Sequence, residues 1–275
     1  MTIDTPWIIE ADYLIDILGE KELRIIDLTN QQSYDQAHIS NAVFVDYKQI
    51  IKNQPPTFGL LPSELELSQL LSKNGISPNH YIIAYDDEGG GKASRLLWTL
   101  DLIGHKKMSL LNGGIQTWLA KQFPVSTQTT HFADENYPVQ FKNKEVAINA
   151  EQILQKLEQN KVKIIDARSK KEFLGEDVRA TKAGHIPNAV HFDWMDLKKP
   201  DDVTRLKTDK EISEQLHSLN IQSNDEIIVH CHSHHRSSLS YVVLKHLGYK
   251  NVKGYPGSWS DWGNRSDTPT TTIPS

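Results

Sequence analysis

Cysteine is scarce in this chain of 275 residues, since it occurs only once, at Cys231. One cysteine excludes an internal disulfide and any zinc site built from several cysteines, and an unpaired thiol is typical of the reducing cytoplasm. Export signals are also lacking, because the first residues, Met1 to Trp7, contain neither a basic nor an apolar stretch. We therefore expect a cytoplasmic protein.

Long apolar runs and an excess of basic charge are missing as well. No apolar run reaches the roughly 18 residues that a membrane span requires. Lysine and arginine together number 30 against 35 for aspartate and glutamate, which gives a net charge of -5. We therefore expect neither a membrane nor a nucleic acid as a partner. The chain is 38% hydrophobic and 24% charged, which is the composition of a globular protein with a buried core.

The two halves of the chain repeat one another. Short blocks of the first half recur in the second half at a near-constant offset. The clearest pairs are Ile25–Leu28 with Ile164–Ala167, His38–Val43 with His185–Val190, and Asn112–Trp118 with Tyr255–Trp262. We therefore predict a tandem duplication with one domain at 1–135 and a second at 146–275, joined by the polar stretch from His131 to Asn143.

Each half alternates strands with helices. The sequences Ser63–Glu66 and Thr208–Glu211 have the capping-box pattern that opens a helix. Strands that alternate with helices predict a parallel sheet with helices on both faces, so the fold class is α/β with two similar domains. The predicted strands are Arg24–Leu28, Tyr81–Tyr85, Met108–Leu111, Lys163–Asp166, Glu226–His230 and Asn251–Tyr255, and two further predicted helices are Ala93–Ile103 and Ser237–Leu247.

The single cysteine lies where a predicted strand meets a predicted helix. Cys231 directly follows the strand Glu226–His230 and precedes a helix that begins near Ser237. Ligands of open α/β sheets bind beyond the carboxyl ends of the strands, and the amides of a helix N-terminus favour an anion there. This setting, together with Arg236 and the neighbouring imidazoles, should lower the pKa of the thiol from about 8.5. Cys231 is therefore a candidate nucleophile.

Three other interpretations of this segment stay open. A free cysteine is often inert packing, although the basic and imidazole residues after Cys231 favour a reactive thiol. The four histidines between positions 230 and 235 are potential metal ligands, but adjacent loop positions rarely converge on one ion. Cysteine phosphatases have five residues between cysteine and arginine, whereas four separate Cys231 from Arg236. We therefore expect no metal and no cofactor.

The first half has no cysteine at the corresponding position. Asp86 stands there, and two further acids, Asp87 and Glu88, and three glycines follow it. Carboxylates do not attack a soft electrophile, and they repel an anionic substrate. The glycine run lacks the GxxxxGK[ST] spacing, which indicates a turn rather than a phosphate loop. We expect the first domain to be catalytically silent.

The chain resembles the tandem-domain rhodaneses, the thiosulfate and 3-mercaptopyruvate sulfurtransferases. The resemblance covers residues 7–265 and is clearest in Asp166–Arg168 with Gly184–Ala189, in the loop Cys231–Arg236, and in Gly257–Gly263. It implies two rhodanese-like domains, of which the first has lost its cysteine. It also implies that Cys231 takes a sulfane sulfur from thiosulfate or 3-mercaptopyruvate, becomes a persulfide, and passes the sulfur to cyanide or to a thiol such as thioredoxin or glutathione.

The resemblance suggests roles for further residues. Mercaptopyruvate enzymes resemble a Cys-Gly-Ser-Gly-Val-Thr loop, of which this chain keeps the cysteine and Ser233. Arg179 is the best match to a donor-binding arginine, and Glu172 replaces a second one. Arg236 is expected to stabilise the thiolate or brace the loop. The predicted substrate-binding set is Arg179, His232, Ser233, His234, His235 and Arg236.

Several alternatives remain for this set. The loop histidines either tune the pKa of the thiol and move a proton, or form a solvated edge of the loop. Arg168 is predicted to form a structural ion pair beside its strand, and Trp259 and Trp262 to pack in the core. A rhodanese-like binding module without activity is the alternative to an enzyme, and a cysteine phosphatase or an arsenate-handling enzyme is the third reading.

Overall fold

The computed structural model describes residues 6–159 and 162–272. Along these ranges the chain alternates strands and helices, with short 3-10 helices at Tyr47–Gln49, Lys144–Val146 and Trp194–Leu197. The strands are β1 (Ile8–Ile9), β2 (Leu23–Asp27), β3 (His38–Ile39), β4 (Ala42–Phe44), β5 (Lys52–Gln54), β6 (Thr57–Leu60), β7 (Tyr81–Tyr85), β8 (Met108–Leu111), β9 (Val125–Ser126), β10 (Lys163–Asp166), β11 (Ala189–His191), β12 (Ile227–His230) and β13 (Val252–Gly254). The α-helices are α1 (Ala11–Ile17), α2 (Gln31–Gln36), α3 (Glu64–Lys73), α4 (Gly91–Leu102), α5 (Gly114–Ala120), α6 (Ala150–Gln159), α7 (Lys170–Leu174), α8 (Asp209–Ser218), α9 (Arg236–His246) and α10 (Ser258–Trp262).

One compact unit carries a five-stranded parallel sheet. It consists of Leu61–Lys144, Lys198–Leu206 and the described residues of Met1–Ile51. The strands lie in the order β1, β8, β7, β2, β4, and every neighbouring pair is parallel. The inner strands β2 and β7 are buried along their whole length because helices cover both faces of such a sheet. Asp86 follows β7 at the carboxyl edge.

A second compact unit carries a four-stranded parallel sheet. It consists of Lys52–Leu60, Glu145–Leu197 and the described residues of Lys207–Ser275. The strands lie in the order β11, β10, β12, β13, and again every neighbouring pair is parallel. The hairpin of β5 and β6 comes from the first half of the sequence but belongs to this unit, where the Ser260 hydroxyl accepts the N–H of Phe58 at 2.9 Å.

The predicted α/β architecture is confirmed, with one parallel sheet flanked by helices in each unit. Both predicted capping boxes are present, and they open α3 and α8. The strands β7, β8 and β10 have the predicted limits, while the other predicted elements are shifted by one or two residues. No helix among the described residues has the length and apolar character needed to traverse a lipid bilayer.

The ends and connections of the domains are more ordered than their composition indicates. The stretch from His131 to Asn143 has no helix or strand, yet Tyr137 within it is buried and its hydroxyl lies 2.8 Å from Nδ1 of His105. The described residues of the tail after Asp267 are also held by hydrogen bonds. Thr271 pairs with His185 in an antiparallel bridge, and the Trp262 indole donates to the Pro269 carbonyl.

Candidate active site

Cys231 lies at the carboxyl end of an inner strand. Strand β12 runs between β10 and β13 and ends at His230, so the next residue emerges at the edge of the sheet where ligands bind. Five residues later the chain enters α9 at Arg236. The thiol is free and the residue is only 1% exposed, so Cys231 is buried at the sheet edge rather than at the surface.

The start of α10 holds the carbonyls of the loop. The N–H of Trp259 donates to the Cys231 carbonyl at 3.0 Å, and the N–H of Ser260 donates to the His232 carbonyl at 2.9 Å. The Ser258 hydroxyl accepts the N–H groups of Cys231 at 3.3 Å and of His234 at 3.0 Å. The loop backbone between Cys231 and His234 is therefore anchored at four polar groups.

The thiol is surrounded by hydrogen-bond donors. Burial alone would raise the pKa of Cys231, but the charge of Arg236, the Ser237 hydroxyl and the backbone N–H groups of Ser237 and Ser233 outweigh it, and the pKa is lowered. A lowered pKa increases the fraction of thiolate at neutral pH, and the thiolate is the nucleophilic form. The expected amide donors, here the N–H groups of Ser233 and Ser237, and the cationic neighbour Arg236 are therefore present around this sulfur.

Arg236 is fixed by a buried carboxylate. Its two terminal nitrogens contact the two oxygens of Glu172 at 2.6 and 2.9 Å, which is a bidentate pair. Glu172 is 1% exposed and also accepts the N–H of Ser169 in the capping box of α7. Burial would raise the pKa of Glu172, but its bonds with Arg236 and Ser169 lower it to about 2. The guanidinium therefore stays beside the thiol as a fixed positive charge.

Arg179 lies at the surface of the same region. Its side chain is 51% exposed and donates twice to Asp177, at 2.7 and 2.9 Å. Its Nε lies 3.8 Å from the Glu172 carboxylate that also binds Arg236. The structure therefore connects the two predicted arginines through one acid, with Arg236 on the inner side and Arg179 open to solvent.

The three loop histidines have different surroundings. The ring of His232 is stacked with Phe58 of the β5–β6 hairpin at a centroid distance of 6.3 Å, and burial lowers its pKa. The ring of His235 lies 6.0 Å from that of Trp194. Both histidines are half-buried. His234 is fully buried, and its Nδ1 lies 2.8 Å from the Ser237 hydroxyl, which excludes the solvated-edge interpretation for this residue.

A buried ion pair supports the strand that precedes the loop. Arg168 binds both oxygens of Asp166 and packs on the Trp259 ring at 4.2 Å, which confirms the predicted structural ion pair. Burial would raise the pKa of Asp166, but the neighbouring His230 and Arg168 lower it. Burial lowers the pKa of His230, whose Nε2 lies 3.6 Å from Asp166. Trp262, like Trp259, packs in the core as predicted.

The β5–β6 hairpin packs tightly on the loop. Gly59 has a positive φ of 74°, and a Cβ at this position would lie 2.0 Å from the Ser233 carbonyl oxygen. Only a residue without a side chain allows this approach. The hairpin therefore forms part of the wall beside Ser233 and His232.

The loop of the other unit already contains an anion of its own. One oxygen of the Asp86 carboxylate accepts the N–H groups of Glu88 at 3.1 Å and Gly90 at 2.8 Å, and the second accepts the N–H of Ala93 at 2.9 Å. Burial and the charge of Glu88 raise the pKa of Asp86, while these amides oppose the shift. The donors that could receive a substrate anion are thus occupied by the protein itself.

Three contributors to the site escaped the sequence analysis. Ser237 was taken only as a helix start, Ser258 only as part of a glycine- and tryptophan-rich segment, and Glu172 only as a missing arginine. The available signal was the opposite charges of Glu172 and Arg236, at positions where the resemblance implies an arginine and a threonine. Among the described residues no group of three or more histidine, cysteine, aspartate or glutamate side chains has the arrangement of a metal site.

The chain is similar to proteins of one family along both halves. The family described as "Rhodanese-like domain" matches residues 10–121 and 149–265. A thiosulfate sulfurtransferase of Azotobacter vinelandii is 42% identical over 265 residues, which cover 96% of this chain and 96% of the relative. A thiosulfate sulfurtransferase of Pseudomonas aeruginosa is 40% identical over 266 residues, which cover 97% of each chain.

A solved structure gives the same result for the fold. The crystal structure of SseA from Escherichia coli, described with the rhodanese fold and catalytic mechanism of 3-mercaptopyruvate sulfotransferases, matches with a TM-score of 0.83 and 27% sequence identity. The match covers 93% of this chain and 99% of that chain. Both parallel sheets described above therefore have counterparts in a known tandem arrangement.

Proposed function

The chain belongs to the rhodanese family and is a sulfurtransferase, and on this basis we propose that it loads Cys231 with the sulfane sulfur of thiosulfate and delivers that sulfur to cyanide or a thiol. The observation that carries the proposal is the lowered pKa of the Cys231 thiol. Cys231 is buried, yet Arg236, Ser237 and Ser233 lower its pKa. A group that holds one negative charge on sulfur is suited both to attack a donor and to hold a persulfide.

The reaction needs two displacements at sulfur. In the first, the Cys231 thiolate attacks the outer sulfur of thiosulfate, an S–S bond forms to the cysteine, the S–S bond of the donor breaks, and sulfite leaves with its electron pair. In the second, cyanide attacks the outer sulfur of the persulfide, thiocyanate leaves, and the electron pair returns to the cysteine as a thiolate. Neither step requires a cofactor, because the cysteine carries the sulfur covalently.

The charges around the loop support an anionic donor. Arg236 supplies a fixed positive charge on the inner side, and Arg179 is exposed on the outer side of Glu172. We assign Arg179 to the anionic end of the donor, and Ser233, His232 and His235 to the surroundings of the donor beside Cys231. The names of the relatives at 42% and 40% identity support thiosulfate as the donor over 3-mercaptopyruvate.

The remaining parts of the assignment follow from the duplication. We assign the chemistry to residues 146–275 and a silent role to residues 1–135, because Asp86 fills the place of the nucleophile. A thiol acceptor such as thioredoxin or glutathione and a cytoplasmic location are consistent with the one free thiol.

Donor kinetics test the proposal. The protein is incubated with cyanide and with either thiosulfate or 3-mercaptopyruvate, and thiocyanate is measured. We expect the wild type to turn over both donors, with a higher kcat/KM for thiosulfate. We expect no turnover for Cys231→Ser. Thiocyanate formation by Cys231→Ser, or a wild type that is inactive with both donors, would contradict the proposal.

Replacement of Arg179 tests its role in donor binding. Arg179→Ala removes one charge-assisted contact, so we expect KM for thiosulfate to rise about tenfold while kcat changes little. The matched control is Arg205→Ala, because Arg205 also forms an ion pair at the surface, with Glu10 at 3.0 Å, but belongs to the silent unit. An unchanged KM for Arg179→Ala would remove this residue from the donor site.

A further inference from the structure

His234 has an unusual backbone for a large side chain. Its φ is 52°, in the left-handed region that is unfavourable for residues with a Cβ and common for glycine. The duplicated loop of the other unit has glycine at the corresponding position, Gly89, with a φ of 87°. The left-handed conformation is therefore a property of both loops, and only the loop with the cysteine carries a side chain there.

The imidazole of His234 is held in one orientation inside the protein. The side chain is fully buried, and its Nδ1 lies 2.8 Å from the hydroxyl oxygen of Ser237, which is buried as well. The N–H of His234 donates to Ser258, and its carbonyl accepts the hydroxyl of Ser238 at 2.5 Å. The loop thus fixes the ring toward Ser237 rather than toward solvent.

The Ser237 hydroxyl connects this ring to the nucleophile. It hydrogen-bonds the Cys231 sulfur, and its oxygen also lies within hydrogen-bond distance of the His234 ring. A thiolate only accepts hydrogen bonds, and a hydroxyl has one proton to give. When the hydroxyl donates to the thiolate, its oxygen must therefore accept from His234, which requires the proton of the neutral ring to be on Nδ1.

We propose that His234 is a positioning residue that acts through Ser237: its Nδ1–H donates to the Ser237 oxygen and thereby commits the Ser237 proton to the sulfur of Cys231. In the opposite tautomer, Nδ1 would accept that proton and the thiolate would lose a donor. The inference rests on the proposed function, because the Cys231 sulfur is the atom that binds the transferred sulfane sulfur. It explains why the loop keeps a histidine at a backbone position suited to glycine.

The thiol titration of the free protein measures this effect without any sulfur donor. Cys231 is alkylated with iodoacetamide across a pH series, and the midpoint of the rate gives the pKa of the thiol. Ser237→Ala and His234→Gly should each raise the midpoint by about one pH unit, which corresponds to one hydrogen bond to a charged group. The double variant should have the midpoint of Ser237→Ala alone, because the histidine acts only through the hydroxyl.

Two substitutions separate the N–H donor from the bulk of the ring. His234→Asn tolerates a positive φ and has an amide N–H in place of Nδ1–H, so its midpoint should stay close to the wild type. His234→Leu has the shape of asparagine without an N–H or a charge, so it should raise the midpoint, and the rise should shrink in the Ser237→Ala background. His217→Ala removes an exposed imidazole on α8 and should leave the midpoint unchanged.

The results decide between positioning and simple packing. The other charged groups that face the sulfur or its neighbours, Arg236 on α9, Glu172 on α7 and the Asp166–Arg168 pair, are the same in every variant. A wild-type midpoint for His234→Gly, additive shifts in the double variant, or equal shifts by His234→Leu in both backgrounds would overturn the proposal. The last comparison holds even where His234→Gly fails to fold. Failure of the sulfurtransferase assignment is a separate result, seen as absent thiocyanate formation with a normal thiol titration.

Discussion

The behaviour of Cys231 depends on a balance between burial and polar contacts. Burial raises the pKa of the thiol, and Arg236 with the donors of Ser237 and Ser233 more than reverses that effect. The charge of Arg236 is in turn held by Glu172, which lies 64 positions away in the sequence. The nucleophile therefore depends on a carboxylate that does not touch it.

Glu172→Gln removes the buried charge and preserves the shape of the side chain. Breaking a buried ion pair costs about 3 kcal/mol, so we expect the free energy of unfolding at neutral pH to fall by about that amount. The pKa of Glu172 is lowered to about 2 from its ordinary 4.5, so its stabilisation is complete above the ordinary value and fades as the pH falls toward about 2. Urea denaturation across this pH range measures the difference between the two proteins.

The control for this change is an ion pair at the surface. Glu214→Gln breaks a contact with Lys210 of 3.9 Å in which both side chains are exposed, and it should change the free energy of unfolding by less than about 0.5 kcal/mol. For the Glu172 account, the wild-type and Glu172→Gln curves must converge in acid. Curves that stay parallel from neutral pH to acid would show that Glu172 does not act through its charge.

The residues of the site were predictable only where they are local in sequence. Cys231, Arg236 and the start of the helix are consecutive, so their chemistry follows from the strand-to-helix transition. Glu172 and Ser258 reach the loop from elsewhere in the chain, over 64 and 27 positions, and no local pattern indicates those contacts. The burial of His234 also depends on tertiary packing, because the sequence shows only one histidine among several.

At the scale of elements, the first turn of α10 acts as the support of the loop. Its backbone N–H groups bind two loop carbonyls, and the Ser258 hydroxyl accepts two loop N–H groups. Ser258 has a positive φ of 49°, and its counterpart in the other unit, Gly114, has a φ of 52°. As with His234, the second unit keeps a side chain where the first has glycine, and the side chain contacts the loop of Cys231.

Ser258→Ala tests this support. The substitution leaves the buried N–H groups of Cys231 and His234 without their acceptor, at a cost of about 1–3 kcal/mol for a buried unsatisfied group. We expect a lower free energy of unfolding and faster hydrogen exchange at these two amides. Ser218→Ala is the control, because this exposed serine bonds only the Gln215 carbonyl within its own helix. Unchanged exchange at both amides would mean that α10 does not hold the loop.

Most elements were predictable because their signals are local. Capping boxes, apolar runs and helical spacing predicted α3, α8 and the inner strands of both sheets. The hairpin of β5 and β6 was not predicted, because its strands, Lys52–Gln54 and Thr57–Leu60, lack an apolar alternation and are exposed or only partly buried apart from Gly59. Its place beside Ser233 is a tertiary contact, which depends on the glycine at position 59.

At the scale of the whole molecule, the duplicated framework supports two different sites. The inner strands end in equivalent register, with Asp27 opposite Tyr85 and Asp166 opposite His230. Burial raises the pKa of Asp27, whose partners are the hydroxyls of Tyr85 and Thr29. Asp166 instead pairs with a guanidinium and has a lowered pKa. The same position is thus charged in one unit and disfavours charge in the other.

Asp86→Cys tests whether the fold of the first unit is sufficient for a cysteine at position 86 to accept sulfur. The fifth residue after Asp86 is Gly91, where the fifth after Cys231 is Arg236, and the acids Asp87 and Glu88 repel an anionic donor. We expect the introduced thiol to stay unloaded, so that the protein still takes up one sulfur per chain from thiosulfate. Loading of two sulfurs, detected by mass spectrometry of the intact chain, would show that neither the arginine nor a loop without acids is required.

The persulfide at Cys231 is the central claim, and mass spectrometry tests it most directly. The intact protein is treated with thiosulfate, desalted and weighed, and then treated with cyanide and weighed again. The account predicts a gain equal to one sulfur atom, located on the peptide that contains Cys231, and its loss with cyanide as thiocyanate appears. An unchanged mass after thiosulfate, or a sulfur carried by any residue other than Cys231, would contradict it.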